Sequence, residues 1–287
     1  MSHQPTISRR EFAALSIAAG VVVAARASAD MALELLEKDV EIRMADGICD
    51  AALIHPNQGS WPGVILFTDV FGLRPTTRDM AKRLAGQGYT VLVPNPFYRS
   101  VKPPGLSTDL DFTNPADRAK IEQLRRPLTR NAVMQDASAY VKFLDSRPSV
   151  RQTAKLGVFG YCMGGPMTLQ AAAAVPDRIG AAASFHGAGL VSDRPDSPHL
   201  LVPRIRARYY VAVAMNDDQR QPDAKHTLTA GFRTANVPAK IEIYDDCLHG
   251  WCVPDMPQAP GKPPIYNSRA AERAWGELSS LFQQALA

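Results

Sequence analysis

The chain has 287 residues, of which 46% are hydrophobic and 21% are charged, and its formal net charge is +4 at pH 7. This composition is globular, and the length allows one large domain or two small ones. No block of lysine and arginine outside the amino-terminal segment forms a basic stripe, so a nucleic-acid partner is not expected.

The first 29 residues have the order of an export signal. Arg9 and Arg10 precede an apolar run of fourteen residues from Phe12 to Ala25, and the small residues 27–29 follow. This order resembles a bacterial twin-arginine signal with cleavage after Ala29. The run is shorter than the roughly 20 residues that a membrane-spanning helix needs, so stable membrane insertion is not expected. The prediction is a soluble periplasmic protein, exported by the twin-arginine machinery.

Residues 30–287 are predicted to form a single α/β domain. Residues 37–56 predict an antiparallel hairpin that turns at Asp46-Gly47. Apolar, β-branched runs then recur and predict a parallel sheet buried on both faces. The runs are residues 63–68, 89–94, 154–160, 179–185, 208–215 and 239–245. Helical patterns lie between most of them, including 78–87 and 129–145, and residues 269–286 predict a closing helix. Two proline-rich stretches, 103–117 and 253–267, are predicted as loops.

The cysteines do not indicate a disulfide-built fold or a metal site. There are only four of them, Cys49, Cys162, Cys247 and Cys252, without the paired C-x-x-C spacing of zinc ligands. No pair of histidines stands at metal-ligand spacing with a carboxylate, so no metal is expected. In an oxidising compartment Cys49, Cys247 and Cys252 could pair, and the sequence leaves their pairing open.

A glycine-flanked cysteine follows the strand predicted at 154–160. The segment Gly160-Tyr161-Cys162-Met163-Gly164 leads from that strand into a helical pattern. This layout is typical of the strand–turn–helix elbow that presents a nucleophile at the carboxyl edge of an α/β sheet. Side chains at Gly160 and Gly164 would collide with the neighbouring elements, and a helix amino terminus favours thiolate. A small buried cysteine at a glycine-rich helix start is the alternative, so the interpretation depends on partner residues.

Acidic residues and a histidine follow in the order that a hydrolase requires. Asp217 and Asp218 come directly after the strand predicted at 208–215, and His249 lies in the loop after the next strand. Nucleophile, acid and histidine have this order in α/β-hydrolases. His186 also follows a strand, but we interpret it as support for the elbow and not as a proton-transfer group.

Together these motifs resemble the dienelactone hydrolase family of α/β-hydrolases. The resemblance lies in GYCMGG at 160–165, DDQRQP at 217–222, LHGW at 248–251, VILFTDVFGLRP at 64–75 and DG at 46–47. It implies an α/β-hydrolase fold, with a mostly parallel sheet and helices on both faces, and no cofactor. It also implies a triad of Cys162, His249 and Asp218. Asp218 is preferred because the family's acid precedes a proline by four residues, and Asp217 is the alternative.

The resemblance implies further roles near the nucleophile. The backbone N–H groups of Val70 and Met163 would form the oxyanion hole. Asp69 stands where family members often carry a glutamate that positions the thiol, and its shorter side chain departs from that pattern. Arg99 is a possible match to one of two arginines that bind a dienelactone's carboxylate. The second is missing after His249, and Arg74 is considered as a replacement.

The implied activity is that of a thiol hydrolase which cleaves an ester or lactone through a thioester acyl-enzyme, as carboxymethylenebutenolidases do. The alternative is a hydrolase-fold binding protein or periplasmic thiol redox sensor, in which Cys162 is oxidised and not acylated.

Overall fold

A central sheet of eight strands has the spatial order β1-β2-β4-β3-β5-β6-β7-β8. The computed structural model describes residues 33–258 and 263–286, so the predicted export signal at 1–29 lies outside the described residues. Contacts group Leu35–Ala287 into one unit. The strands are β1 (Leu35–Met44), β2 (Gly47–Pro56), β3 (Gly63–Phe67), β4 (Thr90–Pro94), β5 (Leu156–Tyr161), β6 (Ile179–Phe185), β7 (Arg208–Ala214) and β8 (Ala239–Tyr244).

Six strands are parallel, in the spatial order β4-β3-β5-β6-β7-β8. The predicted hairpin of β1 and β2 forms an antiparallel edge. β1 pairs with β2 in the register Met44↔Gly47, and β2 pairs antiparallel with β4. Every residue of β3, β4 and β5 is buried. Such strands are apolar along their whole length because helices cover both faces of the sheet.

Seven α-helices and one 3₁₀ helix accompany the sheet in the described part of the chain. They are α1 (Pro75–Ala85), α2 (Pro115–Arg125), α3 (Arg130–Asp145), α4 (Gly164–Ala174), the 3₁₀ helix (Pro198–Arg204), α5 (Met215–Arg220), α6 (Ala224–Thr234) and α7 (Ser268–Leu286). One apolar cluster joins the sheet to α3, α4 and α6, and a second joins its other face to α1 and α7. The predicted α/β-hydrolase fold is confirmed.

The helix α2 is the main element that the sequence did not predict. It begins inside the proline-rich stretch 103–117, where the Asn114 side chain accepts a hydrogen bond from the N–H of Ala116. Ile121 is its one buried residue, so the helix lacks the broad apolar stripe on which the other assignments relied. Within residues 33–258 and 263–286, no helix combines the length and hydrophobicity needed to cross a membrane.

Candidate active site

The turn between β5 and α4 holds Cys162 in a strained conformation. Its φ is 51°, in the left-handed region that non-glycine residues rarely adopt. A Cβ on Gly160 would lie 2.4 Å from the carbonyl oxygen of Gly164, and a Cβ on Gly164 would lie 2.3 Å from that of Phe67. Glycine is therefore needed at both positions, and the elbow packs against the end of β3. This is the geometry of a nucleophile elbow.

The acid that contacts His249 is Asp217. Its Oδ2 atom lies 2.6 Å from Nδ1 of His249, and Oδ1 of Asn216 accepts the His249 backbone N–H at 2.8 Å. Two neighbouring residues of α5 thus hold both the ring and the main chain of the histidine. The sequence analysis did not identify Asn216. The only sequence feature that could have indicated it is its position directly before the acidic pair.

The preference for Asp218 is therefore corrected in favour of Asp217. Lys225 of α6 donates hydrogen bonds to both carboxylate oxygens of Asp218, at 2.9 and 2.8 Å. Both acids lie on α5, and consecutive helical residues point about 100° apart. When Asp217 faces the histidine loop, Asp218 must face α6. The proline spacing on which the prediction relied does not measure this rotation.

The surroundings of His249 favour its protonated form. Burial lowers its pKa, but hydrogen bonds with Asp217 and Cys162 and the negative charge that those groups can carry outweigh it, raising the pKa to about 10. A charged imidazole that is hydrogen-bonded to a carboxylate and lies close to a thiol is suited to proton transfer at that thiol. The same ring can later donate a proton to a leaving group.

The residues predicted to form the oxyanion hole are Val70, in the loop after β3, and Met163, in the elbow. Val70 follows β3, whose end packs on the elbow, and Met163 directly follows Cys162; both residues are buried. Neither N–H donates to a backbone acceptor in the described part of the chain. Two free N–H groups beside a nucleophile can stabilise an oxyanion.

Asp69 was predicted to position the thiol, but in the described part of the chain its carboxylate hydrogen-bonds to Arg74 and Phe71 and not to Cys162. Its Oδ1 and Oδ2 atoms accept hydrogen bonds from Nη1 and Nη2 of Arg74 at 2.7 and 2.8 Å, and Oδ1 also accepts the N–H of Phe71 at 3.0 Å. Asp69 is only 2% exposed. Its carboxylate is held within residues 68–74, the segment between β3 and α1 that is called the oxyanion loop below. It is held there because the side chain of an aspartate can accept a hydrogen bond from the N–H two residues later.

Arg99 is likewise not free to bind a substrate carboxylate. It donates to both oxygens of Asp136, at 2.7 and 2.8 Å, and its Nε donates to Asp46 at 2.9 Å. Tyr98 donates to the same Asp136 at 2.8 Å. The predicted substrate-binding role is corrected, because this guanidinium joins α3 to the β1–β2 turn.

His186 is fully buried beside His249. The two rings meet edge to face with centroids 4.8 Å apart, and Trp251 lies 5.3 Å from His186 on another side. Both ring nitrogens of His186 lack a hydrogen-bond partner among the described residues. Burial and the neighbouring charge of His249 lower its pKa well below the usual value. A neutral His186 therefore packs directly against the ring of His249. The prediction had only been that His186 supports the elbow.

All four cysteines are unpaired in the structure, which answers the question that the sequence left open for Cys49, Cys247 and Cys252. Burial raises the pKa of Cys49 and of Cys247 to about 12 and raises that of Cys252 as well. These three thiols are therefore poor nucleophiles. In the described ranges, no group of three histidine, cysteine or acidic side chains could hold a metal ion.

Comparisons with known proteins agree with this fold. The model of the Dienelactone hydrolase family matches residues 49–286. A carboxymethylenebutenolidase of Pseudomonas putida is 25% identical over 219 residues, which cover 76% of this chain and 86% of that protein. The dienelactone hydrolase-like promiscuous phosphotriesterase P91, from metagenomic libraries, superposes with a TM-score of 0.70 at 21% identity, covering 88% of this chain and 99% of P91. The dienelactone hydrolase of Anabaena variabilis gives a TM-score of 0.61 at 18% identity with the same coverages.

Proposed function

Since the chain belongs to the dienelactone hydrolase family, we propose that it is a carboxylic ester hydrolase that cleaves esters or lactones with Cys162 as nucleophile. The observations that carry this proposal are the 2.6 Å hydrogen bond between His249 and Asp217 and the strained elbow, which places Cys162 close enough to His249 to raise the pKa of its imidazole. The relatives named carboxymethylenebutenolidase support the same reaction class.

In the acylation step, the Cys162 thiolate attacks the carbonyl carbon of the substrate and forms a C–S bond. The carbonyl oxygen becomes an oxyanion, which accepts hydrogen bonds from the N–H groups of Val70 and Met163. The intermediate collapses as the C–O bond breaks, and the His249 imidazolium gives its Nε2 proton to the leaving alkoxide. The acyl group remains on Cys162 as a thioester; with a lactone, the released alcohol stays attached to it.

In the deacylation step, neutral His249 takes a proton from water, and the resulting hydroxide attacks the thioester carbonyl. The C–S bond breaks, the acid product leaves, and the thiolate–imidazolium pair is restored. Throughout, Asp217 accepts the Nδ1–H of His249, which fixes the ring orientation and stabilises its positive charge.

The decisive experiment compares Cys162→Ala with Cys252→Ala. Hydrolysis of a neutral 4-nitrophenyl ester and of a dienelactone should fall about 10³-fold or more in the first variant, because no nucleophile remains. Cys252→Ala removes a buried thiol outside the series and serves as the matched control. Circular dichroism checks that both variants fold, and mass spectrometry detects the acyl-enzyme. Undiminished turnover by folded Cys162→Ala would contradict the proposal.

The twin-arginine pattern at 1–29 supports a second part of the proposal, export to the periplasm through the twin-arginine machinery. Replacing Arg9 and Arg10 together by lysine should leave the full-length precursor in the cytoplasm. Cell fractionation measures this, with the single Arg26→Lys variant as control. Equal periplasmic yield from the double variant would contradict twin-arginine export.

A further inference from the structure

From the charges and apolar side chains around the elbow, we infer that this hydrolase acts on an uncharged ester or lactone with an apolar substituent, not on a substrate bound through its carboxylate. The inference rests on the hydrolase function proposed above and names its substrate class.

The arginine of the oxyanion loop is already saturated by carboxylates. Arg74 donates two hydrogen bonds to Asp69 and two to Asp255, all between 2.7 and 2.8 Å, and is 5% exposed. Two carboxylates around one guanidinium leave one negative charge in excess. This charge lies beside Val70, the residue after Asp69.

Three other cationic side chains were expected near the triad or lie close to its acid in the sequence. Each of them is also paired with a carboxylate. Arg99 is 11% exposed and neutralised by Asp136 and Asp46, again with one carboxylate in excess. At the triad acid, Arg220 pairs with Asp217 and Lys225 pairs with Asp218. To bind a substrate carboxylate, Arg74 or Arg99 would have to release a buried acid and leave it uncompensated, which is strongly unfavourable.

Apolar side chains, by contrast, connect the two sides of the site. Val70 and Phe71 of the oxyanion loop pack with Leu106 and Ile121 of the 103–125 segment, and Met256 packs against the same cluster. Met256 also reaches the histidine side, because a Cβ on Gly250 would lie only 2.8 Å from its side chain. The cluster therefore extends from the oxyanion loop to the residue that follows His249.

Two large apolar side chains remain exposed, one in contact with this cluster and one beside His249 in the chain. Phe112 is 46% exposed although its ring meets that of Phe71 at 5.9 Å, and Leu248, the neighbour of His249, is 43% exposed. An apolar group of the substrate would gain free energy by covering these side chains. A carboxylate would lose hydration there and face an excess of negative charge.

The test uses a matched pair of substrates, 4-nitrophenyl hexanoate and mono-4-nitrophenyl adipate, in which a carboxylate replaces the terminal methyl group. The leaving group and chain length are the same, so the comparison isolates the charge. We expect kcat/KM for the hexanoate to exceed that for the adipate by about tenfold or more in low salt. Equal rates, or preference for the adipate, would overturn the inference.

Two further measurements connect the preference to the charges. Asp255→Asn removes the excess negative charge at Arg74, so the adipate-to-hexanoate ratio of kcat/KM should rise about threefold or more. Asp39→Asn removes an exposed carboxylate of β1, four strands from β5, and should leave the ratio unchanged. If Asp255→Asn does not fold, wild-type protein at rising NaCl serves instead, because screening should narrow the preference. A ratio that responds to neither change would also overturn the inference.

Failure of the inference can be distinguished from failure of the proposed function. If both esters are hydrolysed in a Cys162-dependent manner but the adipate is preferred, only the substrate class is wrong. If Cys162→Ala retains activity, or if no ester or lactone is turned over, the proposed function fails and the substrate class fails with it.

Discussion

Replacing Asp217 by asparagine tests the assignment of the triad acid. Asp217 accepts from His249 at 2.6 Å, and the pKa of His249 is raised from 6.5 to about 10. Attributing about half of that rise to Asp217 gives roughly 2 to 3 kcal/mol of lost imidazolium stabilisation, at about 1.4 kcal/mol for each tenfold change. This alone predicts a fall in kcat of roughly 30- to 100-fold.

A second effect of this substitution acts in the same direction. The amide of asparagine can donate a hydrogen bond to Nδ1, which places the proton of the neutral imidazole on Nε2. Nε2 then cannot accept a proton from Cys162. The combined loss of kcat should therefore be between about 10² and 10⁴-fold. Asp218→Asn loses only the partly exposed ion pair with Lys225, worth about 1 kcal/mol or less of folding stability. Its kcat should stay within about threefold of wild type.

The assay is steady-state hydrolysis of 4-nitrophenyl hexanoate across pH, with NMR titration of His249 in the three proteins. The pKa of His249 should fall in Asp217→Asn and stay near the wild-type value in Asp218→Asn. The reasoning is refuted if Asp218→Asn loses as much kcat as Asp217→Asn, or if Asp217→Asn retains more than about a tenth of wild-type kcat.

Three further predictions follow from the fold. Gly164→Ala should cost about 3 kcal/mol or more of unfolding free energy, because its Cβ would meet the Phe67 carbonyl; Gly276→Ala, in α7 with open space around it, should instead stabilise by up to about 1 kcal/mol. Chemical denaturation measures both, and similar losses would contradict the steric argument. His186→Phe should relieve the acid instability of wild type. The folded-state pKa of His186 is depressed, so stability present above pH 6.5 is lost as pH falls, by up to about 1.4 kcal/mol per pH unit; parallel wild-type and variant pH curves would exclude this. Arg99→Gln should lower the free energy of unfolding by about 3 kcal/mol, because the buried carboxylate of Asp136 loses its cationic partner. Ester turnover should stay unchanged, and a loss of turnover without a loss of stability would indicate that Arg99 binds the substrate.

Local patterns in the sequence were sufficient to predict the sheet, the elbow and the histidine loop. Apolar runs such as 63–68 and 89–94 became buried strands, because a strand covered on both faces is apolar along its whole length. Gly160 and Gly164 predicted the elbow, because the backbone of the turn lies so close to neighbouring backbone at these two positions that only glycine fits. The helix α2 was missed, because its single buried residue gives almost no periodic signal.

The choice of partner for each charged side chain was decided only by the tertiary structure. Arg74 meets Asp255 across 181 positions of the chain, and Arg99 meets Asp136 across 37. No local pattern encodes such pairs, because ion pairing depends on distances of a few ångströms between segments that the fold brings together. The rotation of α5 likewise places Asp217, and not Asp218, on His249. The sequence by itself therefore determined which elements carry the proposed nucleophile and the histidine. The packing between those elements determined which carboxylate contacts the histidine and which arginines are already paired with acids.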